Sequence, residues 1–129
     1  MSMKNQITSN DAPAPIGPYS QAIQTGGIMF ISGQIPMNAL TGELITDNIE
    51  LATHLVMENL RAILKEAGMN FGNVVKTSIF LKDMNDFTVV NEIYGGYFNG
   101  KTPPPARETV QVSKLPKDVQ VEISAIAVK

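Results

Sequence analysis

Residues Ile28, Met29, Phe30 and Ile31 stand in succession with no polar residue between them. Neighbouring side chains of a strand point to opposite faces, so this run asks for burial on both sides of a sheet. It lies in the segment AIQTGGIMFISGQIP, residues 22–36, which reads as two short strands around a Gly26-Gly27 turn. The chain offers only two helical patterns, and two helices cover one face of such a sheet. The other face calls for a partner, and the simplest partner is another copy of the same chain.

The helices are legible from periodicity. After a turn at NALTGEL, residues 38–44, Asp47 and Glu50 resemble a capping box that opens a helix to about Ala67. Ala52, Leu55, Val56, Leu60, Ile63, Leu64 and Ala67 form its apolar stripe, and Gly68 is its stop signal. His54, Glu58, Arg61 and Lys65 fall on the opposite side, which predicts a solvated His54. Asp83 or Asn85 can cap a second helix over about 86–98, with a stripe of Phe87, Val90, Asn91, Tyr94, Tyr97 and Phe98. Asn91 is the odd member: either a buried amide bonded to backbone or an amide that shapes a pocket. Gly95-Gly96 weakens that helix and suggests close approach by another group.

The strand-like VVKTSIFL, Val74 to Leu81, separates the helices. Two more strands, about 106–112 and 119–128, close the chain around SKLPKD. The resulting order of strand, strand, helix, strand, helix, strand, strand predicts an α+β fold with two helices on one face of a sheet. Its 129 residues suit a single domain.

Composition removes several chemistries. With no cysteine and one histidine, thiolate catalysis, disulfides and Cys/His metal sites are not expected. A net charge of −2 without a basic run argues against nucleic acid as partner. The apolar runs are too short to span a bilayer, and the polar start MSMKNQITSND lacks a signal-peptide core, so a cytoplasmic protein away from membranes is expected.

Chemistry concentrates in TPPPARETVQV, residues 102–112. Three prolines lead into Arg107, limiting the backbone freedom lost when a ligand docks. Alternation puts Arg107, Thr109 and Gln111 on one side of the strand, and Ala106, Glu108, Val110 and Val112 on the other. In the last strand Val119, Val121, Ile123, Ala125 and Ala127 share one face; Gln120, Glu122, Ser124 and Ile126 share the other. If these two strands pair as a hairpin, Arg107, Thr109 and Glu122 come together. They then form either a structural ion pair or a site in which Arg107 grips a carboxylate and Glu122 holds or deprotonates water.

Several blocks carry a resemblance in one register: IGPYSQA (16–22), ISGQIP (31–36), VVKTSIFLKDMNDFTVVNEIY (74–94), PPAR (104–107) and LPKDVQVEISAIAV (115–128). Together they resemble the RidA/YjgF family of enamine/imine deaminases. The resemblance implies a chorismate-mutase-like fold with one mixed sheet of about six strands. It implies a homotrimer formed through the other sheet face, with sites between subunits. It also implies hydrolysis of 2-iminopropanoate and 2-iminobutanoate to 2-keto acids and ammonia, protecting against metabolite damage, with no cofactor or metal. By the same resemblance Arg107 clamps the substrate carboxylate and Glu122 positions water, with Thr109 beside it. Tyr19, Ser32, Gly33 and Asn91 line the substrate pocket. Thr109 stands where many members have cysteine, and Ser124 where many have a second glutamate. The competing readings are a carboxylate-binding trimer without turnover and an endoribonuclease or translation inhibitor.

Overall fold

The structure, a computed structural model, describes residues 3–129. Its elements in chain order are β1 (Asn5–Ile7), β2 (Ala22–Thr25), β3 (Ile28–Gln34), α1 (Ile49–Glu66), β4 (Val74–Leu81), α2 (Phe87–Gly95), β5 (Ala106–Gln111) and β6 (Val121–Val128). They build one mixed six-stranded sheet in the order β1-β2-β3-β6-β4-β5. Strand β1 lies in a polar segment that gave no strand pattern, and it pairs antiparallel with β2 at the edge.

The last two strands do not form the expected hairpin. Strand β5 runs parallel to β4, while β6 inserts between β3 and β4 and is antiparallel to both. A parallel pair needs a crossover, and α2 with its flanking loops supplies it between β4 and β5. The segment SKLPKD is therefore a link from the sheet edge back toward its centre, where β6 finds two neighbours.

Alternation along β6 organises the interior. Val121, Ile123, Ala125 and Ala127 are buried on the helix side, with Met29 and Ile31 of β3 and Ile79 and Leu81 of β4. Helix α1 closes over them with Val56, Met57, Leu60, Ile63 and Leu64, all essentially inaccessible. Leu55, expected in this stripe, is half-buried; Thr53, Met57 and Asn59 are buried instead. Thr53 donates to the Ile49 carbonyl (2.7 Å), and the Asn59 amide donates to the Ile35 and Met37 carbonyls (3.2 and 3.1 Å), so both polar groups are satisfied inside.

The opposite sheet face has no layer over it. Ile28 is 42% and Phe30 47% exposed there, so the run that asked for burial on both sides is covered on one side only by its own chain. Val110 lies on the same face, with Phe80, Ile126 and Val128 half-buried among them.

Helix ends differ in detail from the expected ones. Asn48, not Asp47, caps α1, its side chain accepting from the Leu51 N–H at 3.0 Å. Asn48 is extended (φ −143°) and reaches the free amides directly, so the capping box with Glu50 does not form. At the other end Gly68 takes φ +71°, the left-handed turn that releases the chain. Asp83 caps a 3-10 turn, Met84–Asp86, that runs into α2, and α2 stops at Gly95 rather than about 98. His54 is exposed as expected, yet its Nδ1 lies 2.8 Å from the Tyr97 hydroxyl, which burial pushes up to about 12 with help from the neighbouring Glu58.

Leu60→Ala is expected to destabilise the protein by about 2–5 kcal/mol, because α1 and β6 cannot close over the missing isobutyl group. Urea unfolding followed by circular dichroism would measure this.

Candidate functional site

Two groups of residues carry the expected chemistry, and they lie on opposite sides of the sheet. The first is built on β5. Arg107 points to the helix side, where its Nη1 donates to Asn91 Oδ1 at 2.8 Å. Its guanidinium carbon sits 5.1 Å from the centroid of Tyr94 and 5.8 Å from that of Phe87. Asn91 is exposed and bonded to this side chain, so the alternative of a buried amide tied to backbone does not hold. Beside the guanidinium a cavity of about 310 Å³ is lined by Asn91, Tyr94, Phe98, Thr102 and Pro104 among others. Gly95 belongs to that lining and has open space where a Cβ would be.

Thr109 follows on the same side of β5. Its hydroxyl oxygen is buried and has no hydrogen-bond partner. A buried orphan hydroxyl costs about 1–3 kcal/mol, so the position is poorly served by packing alone.

The second group surrounds Glu122 on the open face. Its carboxylate is half-buried, and that burial alone pushes it above the usual carboxylate range. It lies across Gly33, where an added Cβ would fall 2.3 Å from the nearer carboxylate oxygen. Gly33 is therefore a space-keeping residue: any side chain there displaces the carboxylate. Ser32 and Gly33 form an irregularity in the β3–β6 register between Ile31 and Gln34, which opens this space.

Ser32 is already engaged. Its hydroxyl donates to the Ser20 carbonyl at 2.6 Å and its N–H to the Gln21 carbonyl at 2.9 Å. These bonds moor the bent segment that carries Tyr19, whose hydroxyl accepts from the Ile16 N–H at 3.3 Å. Ile16, Tyr19, Ser32, Gly33, Ile35, Pro116 and Glu122 enclose a cleft of about 350 Å³.

No Arg107–Glu122 ion pair exists within the chain. The hairpin that would have joined them is replaced by β4, lying between β5 and β6, and the two side chains project from opposite faces. Among the described residues neither is ion-paired: the salt bridges are Arg61–Glu58, Lys76–Glu108 and Lys82–Asp118.

Sequence reasoning missed three contributors. Gln21 is buried, and its amide nitrogen donates to the Ser9, Ala12 and Pro13 carbonyls, fixing the loop ahead of Tyr19. Pro116 forms a wall of the Glu122 cleft, behind a turn in which Lys117 and Asp118 take φ of 54° and 58°. Tyr94 was read as a core stripe residue although its ring also faces the guanidinium. The proline in SKLPKD was a usable signal for the second.

Residues 9–129 match the family described as Endoribonuclease L-PSP. The chain belongs to this family, also known as RidA/YjgF. A RutC family protein of Pyrococcus horikoshii is 51% identical, covering 98% of this chain and 99% of its own. The Escherichia coli 2-iminobutanoate/2-iminopropanoate deaminase is 44% identical, covering 98% of this chain and 99% of its own. Among solved structures, Escherichia coli TdcF with bound serine superposes with a TM-score of 0.92 at 41% identity, over 97% of this chain and 98% of that one. The RidA/YjgF members with solved structures thus share this sheet and its two helices from end to end.

The raised Glu122 value has a measurable consequence. Folding favours its protonated form, so the native state carries a penalty above the folded value that is relieved as pH falls through it toward the ordinary carboxylate value. In that window the native state holds the extra proton, and stability falls as pH rises. Glu122→Gln is expected to be at least as stable as wild type at neutral pH, with the gap closing on acidification. Thermal melts of both proteins across that range check the sign.

Proposed function

We propose that this RidA/YjgF protein hydrolyses 2-imino acids, with 2-iminopropanoate and 2-iminobutanoate as substrates, to 2-keto acids and ammonia. The observation that carries this reading is the Arg107 guanidinium, braced by α2 on one side and without an ion partner among the described residues. A planar fork held in this way suits bidentate capture of a small carboxylate. The 44% identity to a deaminase that acts on such acids supports the choice of ligand, as does serine, another small amino acid carboxylate, bound to TdcF.

A single chain keeps Arg107 and Glu122 apart, so the complete site belongs to an assembly. The rim carrying Arg107 and the open face carrying Glu122 are different surfaces. Joining one to the other is a head-to-tail contact, which forms a ring when its rotation closes and does not form a twofold dimer. The proposed ring is a homotrimer with one site at each seam. Its contacts cover Ile28, Phe30 and Val110, which the isolated chain leaves exposed.

The chemistry then needs few groups. Arg107 binds the carboxylate and sets the imine carbon, C2, over Glu122 of the adjoining copy. Ionised Glu122 takes a proton from water as the oxygen bonds to C2, and the C=N electron pair moves to nitrogen. Nitrogen gains the proton held by Glu122. Glu122 then takes the carbinolamine hydroxyl proton and passes it to nitrogen, so the C–N bond breaks as C=O forms and the amine leaves as neutral ammonia, with Glu122 ionised again. Thr109, two residues along the same side of β5 and with a buried, unpartnered hydroxyl, is a second group for the water or substrate once the seam forms. Orientation and one carboxylate of raised basicity supply the rate gain.

The decisive experiment couples a threonine dehydratase to this protein and follows imine loss and ammonia release. Faster ammonia release than the spontaneous rate supports the reading. Binding of 2-ketobutyrate without turnover replaces it with a carboxylate-binding role. Arg107→Ala is expected to cost about 2–5 kcal/mol of transition-state binding in kcat/KM. Phe30→Asp is expected to give a smaller species in analytical ultracentrifugation and to lose activity with it, because a buried charge at the seam opposes assembly.

A further inference from the structure

Phe87, Asn91 and Tyr94 recur at i, i+4 and i+7 along α2, so they share one helical face. All three residues of that face meet Arg107. Asn91 holds a single corner of the guanidinium through the 2.8 Å bond to Nη1. One hydrogen bond lets a planar group pivot, and a pivoting fork loses its match to a carboxylate. The rings supply the missing restraint, and Tyr94 is the nearer of the two, its centroid 5.1 Å from the guanidinium carbon against 5.8 Å for Phe87.

Tyr94 is itself held. It is 5% exposed, and its hydroxyl lies 2.8 Å from the hydroxyl of Thr77, which is 2% exposed. Thr77 is also the register partner of Arg107 in the parallel β4–β5 pair. Strand β4 therefore fixes the far end of the ring while β5 delivers the guanidinium to its face. A residue needed only to fill this space could be leucine; the ring-to-cation geometry calls for an aromatic ring, and the Thr77 bond favours tyrosine over phenylalanine.

We infer that Tyr94, levelled by Thr77, is a positioning residue that holds the Arg107 guanidinium plane so its free edge meets a substrate carboxylate. This rests on the proposed function only in taking a small carboxylate as ligand.

The test uses the assembled protein, with 2-ketobutyrate as calorimetric probe and the dehydratase-coupled assay for turnover. Tyr94→Leu is expected to weaken 2-ketobutyrate binding about tenfold and to raise KM more than it lowers kcat. Tyr94→Phe keeps the ring and recovers most of that loss, while Thr77→Val falls between wild type and Tyr94→Leu. In an Arg107→Lys background, which keeps the charge but not the planar fork, Tyr94→Leu is expected to change affinity less than about twofold. Equal losses from Tyr94→Leu in both backgrounds, or wild-type affinity in Tyr94→Leu, overturn the inference. If Tyr94→Leu does not fold, wild-type affinity in both Tyr94→Phe and Thr77→Val overturns it instead. Wild-type protein that binds 2-ketobutyrate but releases no ammonia sinks the deaminase reading and leaves these affinities to decide the role of Tyr94. Wild-type protein that does not bind the probe overturns both.

Discussion

Strand β6 has a neighbour on each side and two dissimilar faces. Its alternation sends Ile123, Ala125 and Ala127 under α1, and sends Glu122, Ser124 and Ile126 to the face with no layer over it. The first set anchors the core that holds the helices in place. The second puts a carboxylate on a partly apolar surface, where burial disfavours its charge. A single strand thus ties the stability of the helix side to the chemistry of the other, because a slip of one residue would exchange the two sets. Gly33 fits the same scheme: it leaves the volume that the Glu122 carboxylate occupies once the β6 register is set.

The sheet order explains why the site is divided. Parallel pairing of β5 with β4 places Arg107 at a rim and turns it toward α2, away from Glu122. This arrangement gives the guanidinium a rigid cradle made from three elements, at the cost of distance from the carboxylate. In the proposed ring, assembly would restore the proximity through the face that the chain itself leaves uncovered. The exposed Ile28 and Phe30 and the separated functional groups are then two consequences of one topology. A salt bridge inside one chain would have neutralised both groups and left neither for a ligand.

Local features were readable where local physics decides them. The bounds of β4, the Gly26-Gly27 turn and the core stripe of α1 follow from periodicity and turn chemistry. The alternation of β5 and β6 was also legible, including which residues share a side with Arg107 and Glu122. Strand order was not, because pairing partners are set by packing between segments distant in sequence. SKLPKD is short enough to suggest a hairpin, and that suggestion brought Arg107 and Glu122 together wrongly. The strand–helix–strand pattern from 74 to 111 held the correcting signal, since a helix between strands favours a parallel crossover. Asn48 in place of Asp47 is a smaller miss of the same kind: two adjacent residues can both cap, and the packing of α1 selects the register.

The polar residues of the site divide by what already occupies them. Ser32 spends its hydroxyl on the Ser20 carbonyl and Gln21 spends its amide on three others, so both shape the cleft by holding the segment that carries Tyr19. Asn91 gives its oxygen to Arg107 and so braces that guanidinium. Glu122 and the Thr109 hydroxyl make no such bond among the described residues. Groups with saturated partners can orient; groups held in place without partners can react. By that criterion Glu122 and Thr109 are the groups that the proposed mechanism assigns to water and the imine carbon, and Arg107, whose guanidinium still has unused donors, is the group it assigns to the acid.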